Sequence, residues 1–367
     1  MGTPAYLLLE NGETWQGESF GAPLSHTVGE VVFTTSMTGY LETLTDPSYC
    51  GQMVVQAFPL IGNYGVISPD LESAGVHPAA YIVREWCRHP SNFRSEGDLD
   101  AFLKAQNIPG LCGVDTRGLV KRIREQGVMN GLLTAQAPPY AGDLLRTLQN
   151  HRIRDAVNRV TRRIAETYPA DTEIYHVALW DFGGKRNIIR ELNRRGCRVT
   201  ALPADTPARD ILALHPDGVM LTNGPGDPAE NGAILRELNM VCEAAIPIFG
   251  ICLGHQLLAL ARGARTGKLK YGHRGANQPV RDTETGRVYI TSQNHGYAVL
   301  NDTLPAGAIL SFTNGNDATC EGIRYTDIPA FSVQFHPEAS AGPLDTGFLF
   351  DEFIALMGER KEASTCR

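Results

Sequence analysis

The chain has 367 residues, of which 43% are hydrophobic and 20% are charged, and its formal net charge is −7 at pH 7. This length favours two domains, and the composition is typical of a globular protein. The acidic charge argues against a nucleic-acid partner, because phosphates are bound mainly through Lys and Arg. No apolar run reaches the roughly 18 residues that span a bilayer, and no secretory or myristoylation signal is visible, so we expect a cytoplasmic protein with no membrane partner.

The eight cysteines show neither a CxxC pair nor the spacing of a metal site. In a chain of this length we expect most of them to be reduced core thiols, and we expect no bound metal. Their positions are Cys50, Cys87, Cys112, Cys197, Cys242, Cys252, Cys320 and Cys366.

Residues 1–137 are predicted to form a mixed, β-rich domain. Two runs rich in β-branched residues, 30–34 and 53–58, are strand candidates. Two runs with helical apolar spacing, 99–106 and 116–126, each follow an Asp that can cap the first turn of a helix. This part of the chain therefore mixes strands with short helices.

Residues 138–173 are predicted to be a linker. The stretch opens with two prolines, and 143–150 has the pattern of a short helix. Five arginines then cluster, and they indicate either a solvated face or a surface that docks against a partner or the neighbouring domain. These are Arg152, Arg154, Arg159, Arg162 and Arg163.

From residue 174 to 367 short apolar strands alternate with helices. The runs 217–222 and 246–250 are strand candidates, and a helical segment separates them. This alternation predicts an α/β domain with a mostly parallel sheet covered by helices on both faces. In such sheets function gathers at the carboxyl ends of the strands, where the glycine-rich loop 223–228 and Cys252 both fall.

The segment Gly250-Ile251-Cys252-Leu253-Gly254 has the form G-x-C-x-G, between an apolar strand and an apolar helix. It is the thiol counterpart of the G-x-S-x-G nucleophile elbow. The glycines suit a tight turn with a strained backbone at the nucleophile, and the start of the helix favours a thiolate. Cys252 is therefore a candidate nucleophile; the alternative is a buried core thiol, the common role of a cysteine at a strand end.

A thiolate that attacks a carboxamide needs a proton donor, because the leaving ammonia must be protonated. His336 has the best setting of the ten histidines, since it ends an alternating run and is followed by Pro337 and Glu338. Glu338 can turn back to hold the imidazole in one tautomer, which completes the logic of a triad. A histidine at a strand end is more often structural, but its combination with the elbow favours catalysis.

Attack on the amide creates an oxyanion, which backbone N–H groups commonly stabilise. The N–H of Leu253 is one candidate donor. The loop 223–227 is another, because its glycines let the backbone approach a ligand; a plain turn is the alternative interpretation of its Gly-Pro-Gly.

Three motifs resemble the signatures of class I (triad) glutamine amidotransferases, in order and in separation: the segments 223–228, 250–256 and 336–338. This resemblance covers residues from about 175 to 358. The N-terminal part resembles the small subunit of carbamoyl phosphate synthetases in the segments 28–40, 44–49, 91–94 and 113–117.

The resemblance implies roles for individual residues. Cys252 would be the nucleophile, His336 the general base and acid, and Glu338 its orienter. The amides of Gly224 and Leu253 would contribute to the oxyanion hole. The α-amino and α-carboxylate groups of glutamine would be held by Ser48, Gly226, Gln256, Asn294, Gly296 and Tyr297.

Two positions differ from the pattern of the family, and one implied contact lies outside the amidotransferase part of the chain. Tyr297 ends a stretch that is QNHGF-like in the family, and Phe335 stands where some relatives have a small residue. We expect neither difference to change the chemistry. Ser48 lies in the other domain, and without the resemblance it would be interpreted as an ordinary turn residue.

The implied activity is that of a glutaminase that passes ammonia through a tunnel to a large synthetase subunit. The partner would use ATP, Mg and bicarbonate to make carbamoyl phosphate for arginine and pyrimidine synthesis. No GxxxxGK[ST] motif is present, so we expect the ATP chemistry to reside in the partner. The resemblance implies that this chain needs no metal or organic cofactor. The expected assembly is a heterodimer, and a higher oligomer of heterodimers stays open.

Two alternatives remain. The first is a hydrolase, or an amidotransferase of another pathway, built on the same elbow; the N-terminal motifs and Gln256 count against it. The second is a non-catalytic scaffold that docks or regulates a synthetase. The presence of Cys252, His336 and Glu338 together counts against the scaffold.

Overall fold

The computed structural model describes residues 3–339 and 341–365, and the chain forms two compact units, Met1–Ala156 and Val157–Arg367. Met1, Gly2 and Cys366, which entered the predictions above, lie outside the described residues. Each unit contains its own buried apolar clusters. No helix in the described part of the chain combines the length and the apolar character needed to cross a membrane.

The first unit consists of a strand barrel with short helices. Its strands are β1 (Pro4–Leu9), β2 (Thr14–Gly21), β3 (Thr27–Thr34), β4 (Gln52–Gln56), β5 (Leu60–Ile61), β6 (Ala80–Ile82), β7 (Glu85–Trp86), β8 (Pro109–Cys112) and β9 (Met129–Thr134). Its helices are α1 (Tyr40–Thr45), α2 (Leu99–Ala105), α3 (Thr116–Gln126) and α4 (Gly142–Asn150). Seven strands close the barrel in the order β1-β2-β8-β6-β4-β3-β9.

The barrel mixes parallel and antiparallel pairs, which confirms the prediction of a mixed N-terminal domain. Neighbours among β3, β4, β6 and β8 are parallel, whereas β1, β2 and β9 pair antiparallel. The predicted helices are also present, since Asp98 accepts a hydrogen bond from Ala101 N at 2.9 Å and Asp115 from Gly118 N at 3.0 Å. These side chains satisfy N–H groups that a helix leaves free in its first turn.

Alternation along the strands divides the first unit into two apolar cores. Val31 and Val55 belong to one cluster, and Val32 and Val54 belong to the other. All four are fully buried. Because successive side chains of a strand point to opposite faces, each face of the barrel wall has its own core, with α3 packed in the first cluster and α1 and α2 packed in the second.

The second unit is an α/β sandwich around one sheet. Its strands are β10 (Glu166–Tyr168), β11 (Tyr175–Trp180), β12 (Cys197–Leu202), β13 (Gly218–Leu221), β14 (Ile248–Ile251), β15 (Thr266–Asp282), β16 (Val288–Val299), β17 (Ala308–Asn314), β18 (Cys320–Tyr325) and β19 (Ala330–Val333). Its helices are α5 (Ala156–Val160), α6 (Arg186–Arg194), α7 (Ala208–Ala213), α8 (Gly232–Glu243), α9 (Leu253–Ala261) and α10 (Phe348–Thr365).

The sheet has ten strands in the order β10-β12-β11-β13-β14-β19-β18-β17-β15-β16. The five central strands, from β12 to β19 in this order, are parallel, as the alternation of strands and helices predicts. Antiparallel strands extend the sheet on both sides. The sequence analysis did not anticipate this extension, because its long strands have no intervening helices that would mark a parallel crossover.

Helices cover both faces of the parallel strands. Leu221 packs in a cluster with Leu238 of α8 and Leu257 of α9, whereas Met220 packs on the opposite face with residues of α6 and α10 such as Ile188. The carboxyl ends of β14 and β19 thus lie side by side between two covered faces. This is the edge at which we expected the functional residues.

The boundary between the two units falls inside the segment 138–173 that was predicted to be a linker. Leu148 of α4 packs with Leu132 in the first unit, and β10 pairs with β12 in the second. Arg162 is not part of a solvated face, because its Nε lies 3.1 Å from Asp181 Oδ2 and its guanidinium stacks over a tyrosine ring of β10. Both ends of the segment are therefore parts of folded units.

Candidate active site

Cys252 stands at the turn between β14 and α9. Its backbone has φ +53° and ψ −102°, and its N–H donates to Val333 O at 2.9 Å. A positive φ at a residue other than glycine costs on the order of 1–3 kcal/mol and persists only where the surroundings enforce it. The strained elbow that the G-x-C-x-G spacing predicts is therefore present.

The two glycines of the elbow are required by close packing. A Cβ at Gly250 would lie 2.9 Å from the carbonyl of Gly254, and a Cβ at Gly254 would lie 2.4 Å from Leu221 O. Neither contact is possible for a real side chain without a backbone shift. The first turn of α9 can therefore press against β13 and β14 only because both positions lack a side chain.

His336 and Glu338 form a buried pair at the end of β19. His336 Nδ1 lies 2.6 Å from Glu338 Oε1, and both side chains are almost fully buried. The backbone N–H of His336 donates to Ser292 O at 2.9 Å, which ties the segment to β16. His336 Nε2 is buried and has no hydrogen-bond partner among the described residues. The nitrogen that is not held by Glu338 is thus the one available for chemistry.

Lys185 joins this pair, although no sequence motif marks it as a site residue. Its Nζ lies 3.2 Å from Glu338 Oε1 and 3.3 Å from His336 Nδ1, and the side chain is buried. Asn187 adds a further contact, since its amide donates to the backbone carbonyl of Glu338. Lys185 precedes α6 and is separated from His336 by 151 residues, so no local pattern could associate the two.

The charges of this cluster set the protonation of the histidine. Burial and the neighbouring Lys185 lower the pKa of His336, but the Glu338 carboxylate and the Cys252 side chain outweigh them and raise it to about 9. Burial raises the pKa of Glu338, but His336 and Lys185 outweigh it and lower this pKa to about 2. At neutral pH the pair is therefore an imidazolium and a carboxylate, and the imidazolium can donate a proton.

The glycine-rich loop 223–228 is more than a plain turn. Asn223 is completely buried, its Oδ1 accepts from Lys185 N at 3.0 Å and its amide donates to Gly183 O at 3.1 Å. A Cβ at Gly224 would lie 2.3 Å from Phe182 O, and Gly226 has φ +90°. The loop is thus fixed against the segment that carries Lys185. Leu253, the other predicted amide donor, is the first residue of α9 and has no acceptor within the helix for its N–H.

Strand β16 brings three of the predicted glutamine contacts to the same region. Cys252 Sγ lies 3.8 Å from Asn294 O. Gln256 Nε2 donates to Tyr297 O at 2.7 Å and to Gln334 Oε1 at 2.8 Å, so the side chain of Gln256 holds the strand against α9. Gly296 lies between Asn294 and Tyr297 on this strand.

Phe335 and Ser48 both make ordinary structural contacts within their own units. Phe335 is fully buried and its ring meets that of Phe312 edge-on at 5.5 Å. Ser48 belongs to the first unit, where it lies in the short 3-10 helix Pro47–Tyr49 and its N–H donates to Asp46 Oδ1 at 2.9 Å. A turn that is capped in this way by Asp is common.

Within the described residues, one group has the composition of a metal site. The potential ligand atoms of His273, His295 and Glu321 all lie within 4.8 Å of one another. Their nitrogen and oxygen atoms already contact polar groups of the same chain. We therefore interpret the group as a hydrogen-bond network.

Comparison with known families assigns both units. Residues 7–133 match the family model of the carbamoyl-phosphate synthase small chain, CPSase domain, and residues 178–356 match that of glutamine amidotransferase class-I. The chain is 50% identical to the carbamoyl phosphate synthase small chain of Bacillus caldolyticus over 96% of each chain. It is 48% identical to that of Listeria monocytogenes over 98% of each chain. The chain belongs to the carbamoyl phosphate synthase small chain family.

This membership confirms the resemblance found in the sequence. The first unit carries the match to the CPSase domain of the small chain, and the second unit carries the match to the amidotransferase domain. Cys252, His336 and Glu338 all lie in the second unit. The similarity to small chains extends over both units and therefore counts against an amidotransferase built on the elbow alone.

Proposed function

We propose that the chain hydrolyses L-glutamine to glutamate and ammonia as the small subunit of a glutamine-hydrolysing carbamoyl-phosphate synthase, a carbon–nitrogen ligase. The single observation that supports this most directly is the strained Cys252 at the start of α9 together with the buried His336–Glu338 pair. A non-catalytic scaffold would have no need to keep a strained thiol and a buried ion pair, both of which cost free energy.

The reaction proceeds through a thioester. The Cys252 thiolate attacks the side-chain carbonyl carbon of glutamine, and the C–N bond breaks as His336 gives its proton to the leaving ammonia. The neutral His336 then takes a proton from water, whose oxygen attacks the glutamyl thioester. The C–S bond breaks, glutamate leaves and the thiolate is restored. Glu338 holds Nδ1, so that Nε2 performs both transfers.

Backbone groups stabilise the intermediates and hold the substrate. The amides of Gly224 and Leu253 donate to the oxyanion. The α-amino and α-carboxylate groups of glutamine are bound by Ser48, Gly226, Gln256, Asn294, Gly296 and Tyr297. The 2.7 Å bond from Gln256 to Tyr297 O supports this assignment, because it keeps β16 beside the nucleophile.

The ammonia is passed to a large synthetase subunit. A small chain implies a larger partner, and this proposal assigns ATP, Mg and bicarbonate to that partner, with no cofactor or metal in the small chain. The ammonia moves through a tunnel and becomes the nitrogen of carbamoyl phosphate, for arginine and pyrimidine synthesis in the cytoplasm. The expected assembly is a heterodimer.

The test is glutamate release from glutamine by the wild-type chain and by Cys252→Ser, each with and without the large subunit. We expect the variant to lose activity by on the order of 10³-fold or more, because serine is not ionised at neutral pH, and we expect the partner to increase the wild-type rate. Cys87→Ser, which changes a partly exposed thiol of the first unit, is the matched control and should retain full activity. Undiminished glutamate release by Cys252→Ser would contradict the proposal.

A further inference from the structure

A second group of buried charges lies beside the predicted glutamine contacts and has no role in the reaction as described. Glu321 of β18 is completely buried. Its Oε1 accepts a hydrogen bond from Asn314 Nδ2 at 2.9 Å and lies 3.4 Å from His273 Nδ1. Its Oε2 accepts from Gln293 Nε2 at 3.0 Å. His273 Nε2 lies 2.9 Å from Asp317 Oδ2.

These contacts form a fully occupied ionic network. Burial lowers the pKa of His273, but Glu321 and Asp317 outweigh it and raise this pKa, whereas burial raises the pKa of Glu321 although His273, Asn314 and Gln293 oppose it. Both oxygens of Glu321 and both nitrogens of His273 have partners. A metal ion would have to displace these partners. The arrangement is therefore suited to fixing the orientation of neutral side chains.

One of the fixed side chains is Gln293. Its Nε2 donates to Glu321 Oε2 at 3.0 Å, and its Oε1 lies 3.1 Å from His295 Nε2. The other ring nitrogen of His295 lies 2.8 Å from Tyr297 O. A chain of contacts thus leads from Glu321 to the segment that contains Asn294, Gly296 and Tyr297.

Backbone pairing alone holds this segment only weakly. Residues 293–295 pair with 273–275 of β15, and the register shifts on both sides of that short stretch. Irregularities of this kind interrupt the ladder and leave the local strand position to other contacts. Gln256 supplies one such contact from α9, and the His336 N–H supplies another through Ser292 O. The Glu321 network adds contacts from β15, β17 and β18.

We propose that Glu321, together with His273, is a positioning residue that holds the segment 293–297 of β16 in the geometry that binds glutamine. Glu321 touches neither Cys252 nor the reacting amide in this scheme. Its loss therefore weakens glutamine binding while the nucleophile and its base stay in place. This inference rests on the proposed glutaminase activity.

The test is Glu321→Gln in the full chain, with KM and kcat for glutamine measured separately. Glutamine in place of glutamate turns one acceptor into a donor, so Gln293, Asn314 and His273 cannot all be satisfied. We expect KM to rise about tenfold or more, equivalent to about 1.4 kcal/mol of binding free energy, and kcat to change less than about threefold. Alkylation of Cys252 by iodoacetamide should keep its wild-type rate, but protection by glutamine should need a correspondingly higher concentration.

The matched control is Glu352→Gln, which removes an ion pair between α10 and Arg324 of the same strand β18. It should leave KM unchanged. An unchanged KM and an unchanged protection by glutamine in Glu321→Gln would overturn the proposal. Absence of glutaminase in the wild type would instead contradict the proposed function, and glutamine protection of Cys252 would still report on the network.

A second variant guards against misfolding. Asp317→Asn removes the partly exposed carboxylate at the outer end of the network, where the side chain is 44% exposed, and spares the core. We expect a smaller rise in KM in the same direction, because His273 loses one of its two anions. If Glu321→Gln does not give folded protein, a wild-type KM in Asp317→Asn overturns the proposal.

Discussion

The candidate active site is a buried cluster of charged groups. Around the thiol of Cys252 lie two cations, Lys185 and His336, and one anion, Glu338. A buried charge is tolerated only when it is paired, so each of these groups depends on the others for its ionised form. Glu338 is the central member, because it contacts both His336 and Lys185. Residues that look far apart in the sequence are therefore energetically coupled, and single substitutions should be non-additive.

At this scale, Glu338→Gln should reduce glutamine hydrolysis on the order of 10²–10⁴-fold, as loss of the orienting acid does in other triads. It should also destabilise the fold by about 3 kcal/mol near pH 5.5, because Lys185 and His336 lose their buried anion. Urea unfolding of wild type and variant over a range of pH measures the second effect. Glu125→Gln, an exposed surface change, should have little effect at any pH.

The pH dependence has a defined sign. The pKa of Glu338 is lowered from 4.5 to about 2, so its stabilising contribution is complete above pH 4.5 and is lost as pH falls toward 2. The pKa of His336 is raised from 6.5 to about 9, so its contribution is complete below pH 6.5 and is lost as pH rises toward 9. The stability difference between wild type and Glu338→Gln should thus be greatest between these windows, and a difference independent of pH would contradict the charge assignments.

The elements that matter most for the site are β13, β14 and α9, which approach one another closely at Gly250 and Gly254. The N–H of Gly254 donates to Thr222 O at 3.0 Å, and the contact is so close that only glycine fits at residue 254. The position of Cys252 is set by this packing as well as by its own backbone angles. Helix α9 is in addition tied to β16 through Gln256.

At the scale of elements, Gly254→Ala should displace α9 from β13 and lower both stability and activity. Overpacking of this kind costs typically about 1–3 kcal/mol, and a shift of about 1 Å at a nucleophile can lower the rate on the order of 10²-fold. Thermal unfolding and glutaminase assays measure the two effects. Gly232→Ala at the start of α8 is the control, since its added Cβ would be 3.9 Å from the nearest side-chain atom. Equal behaviour of the two variants would show that the close contact is unimportant.

On the scale of the whole molecule, each unit has its own apolar core and matches a different family model. The triad and the glycine-rich loop belong to the second unit, whereas the first unit carries the domain found in carbamoyl phosphate synthase small chains. Ser48 is the one predicted glutamine contact that belongs to the first unit.

The corresponding prediction concerns the complex with the large subunit. With Cys252→Ser, carbamoyl phosphate formation from glutamine should fall to background, while formation from added ammonia should stay within about twofold of wild type. The reason is that the substitution removes the source of ammonia without changing the partner's chemistry. Measurement of carbamoyl phosphate formation with each nitrogen donor tests this prediction. Loss of formation from both glutamine and ammonia would show that Cys252 has a structural role in the complex.

The features that could be predicted from the sequence depend on interactions between residues that are close together in the chain. The elbow follows from two glycines around Cys252, the caps at Asp98 and Asp115 follow from side chains three residues before the N–H groups they bind, and the central strands follow from alternation with helices. Each of these signals spans only a few neighbouring residues. The triad partners His336 and Glu338 were located through a short motif whose strand context is also local.

The tertiary structure alone decided which distant residues meet. Lys185 contacts His336, which is 151 residues away, and the Glu321 network joins four strands. The antiparallel extension of the sheet places Asn294 beside Cys252. None of these contacts has a period or a motif, since strand order and the pairing of buried charges are set by the packing of the whole unit. The sequence by itself indicated the family and the candidate nucleophile, and the fold determined the charges and the strand that surround Cys252.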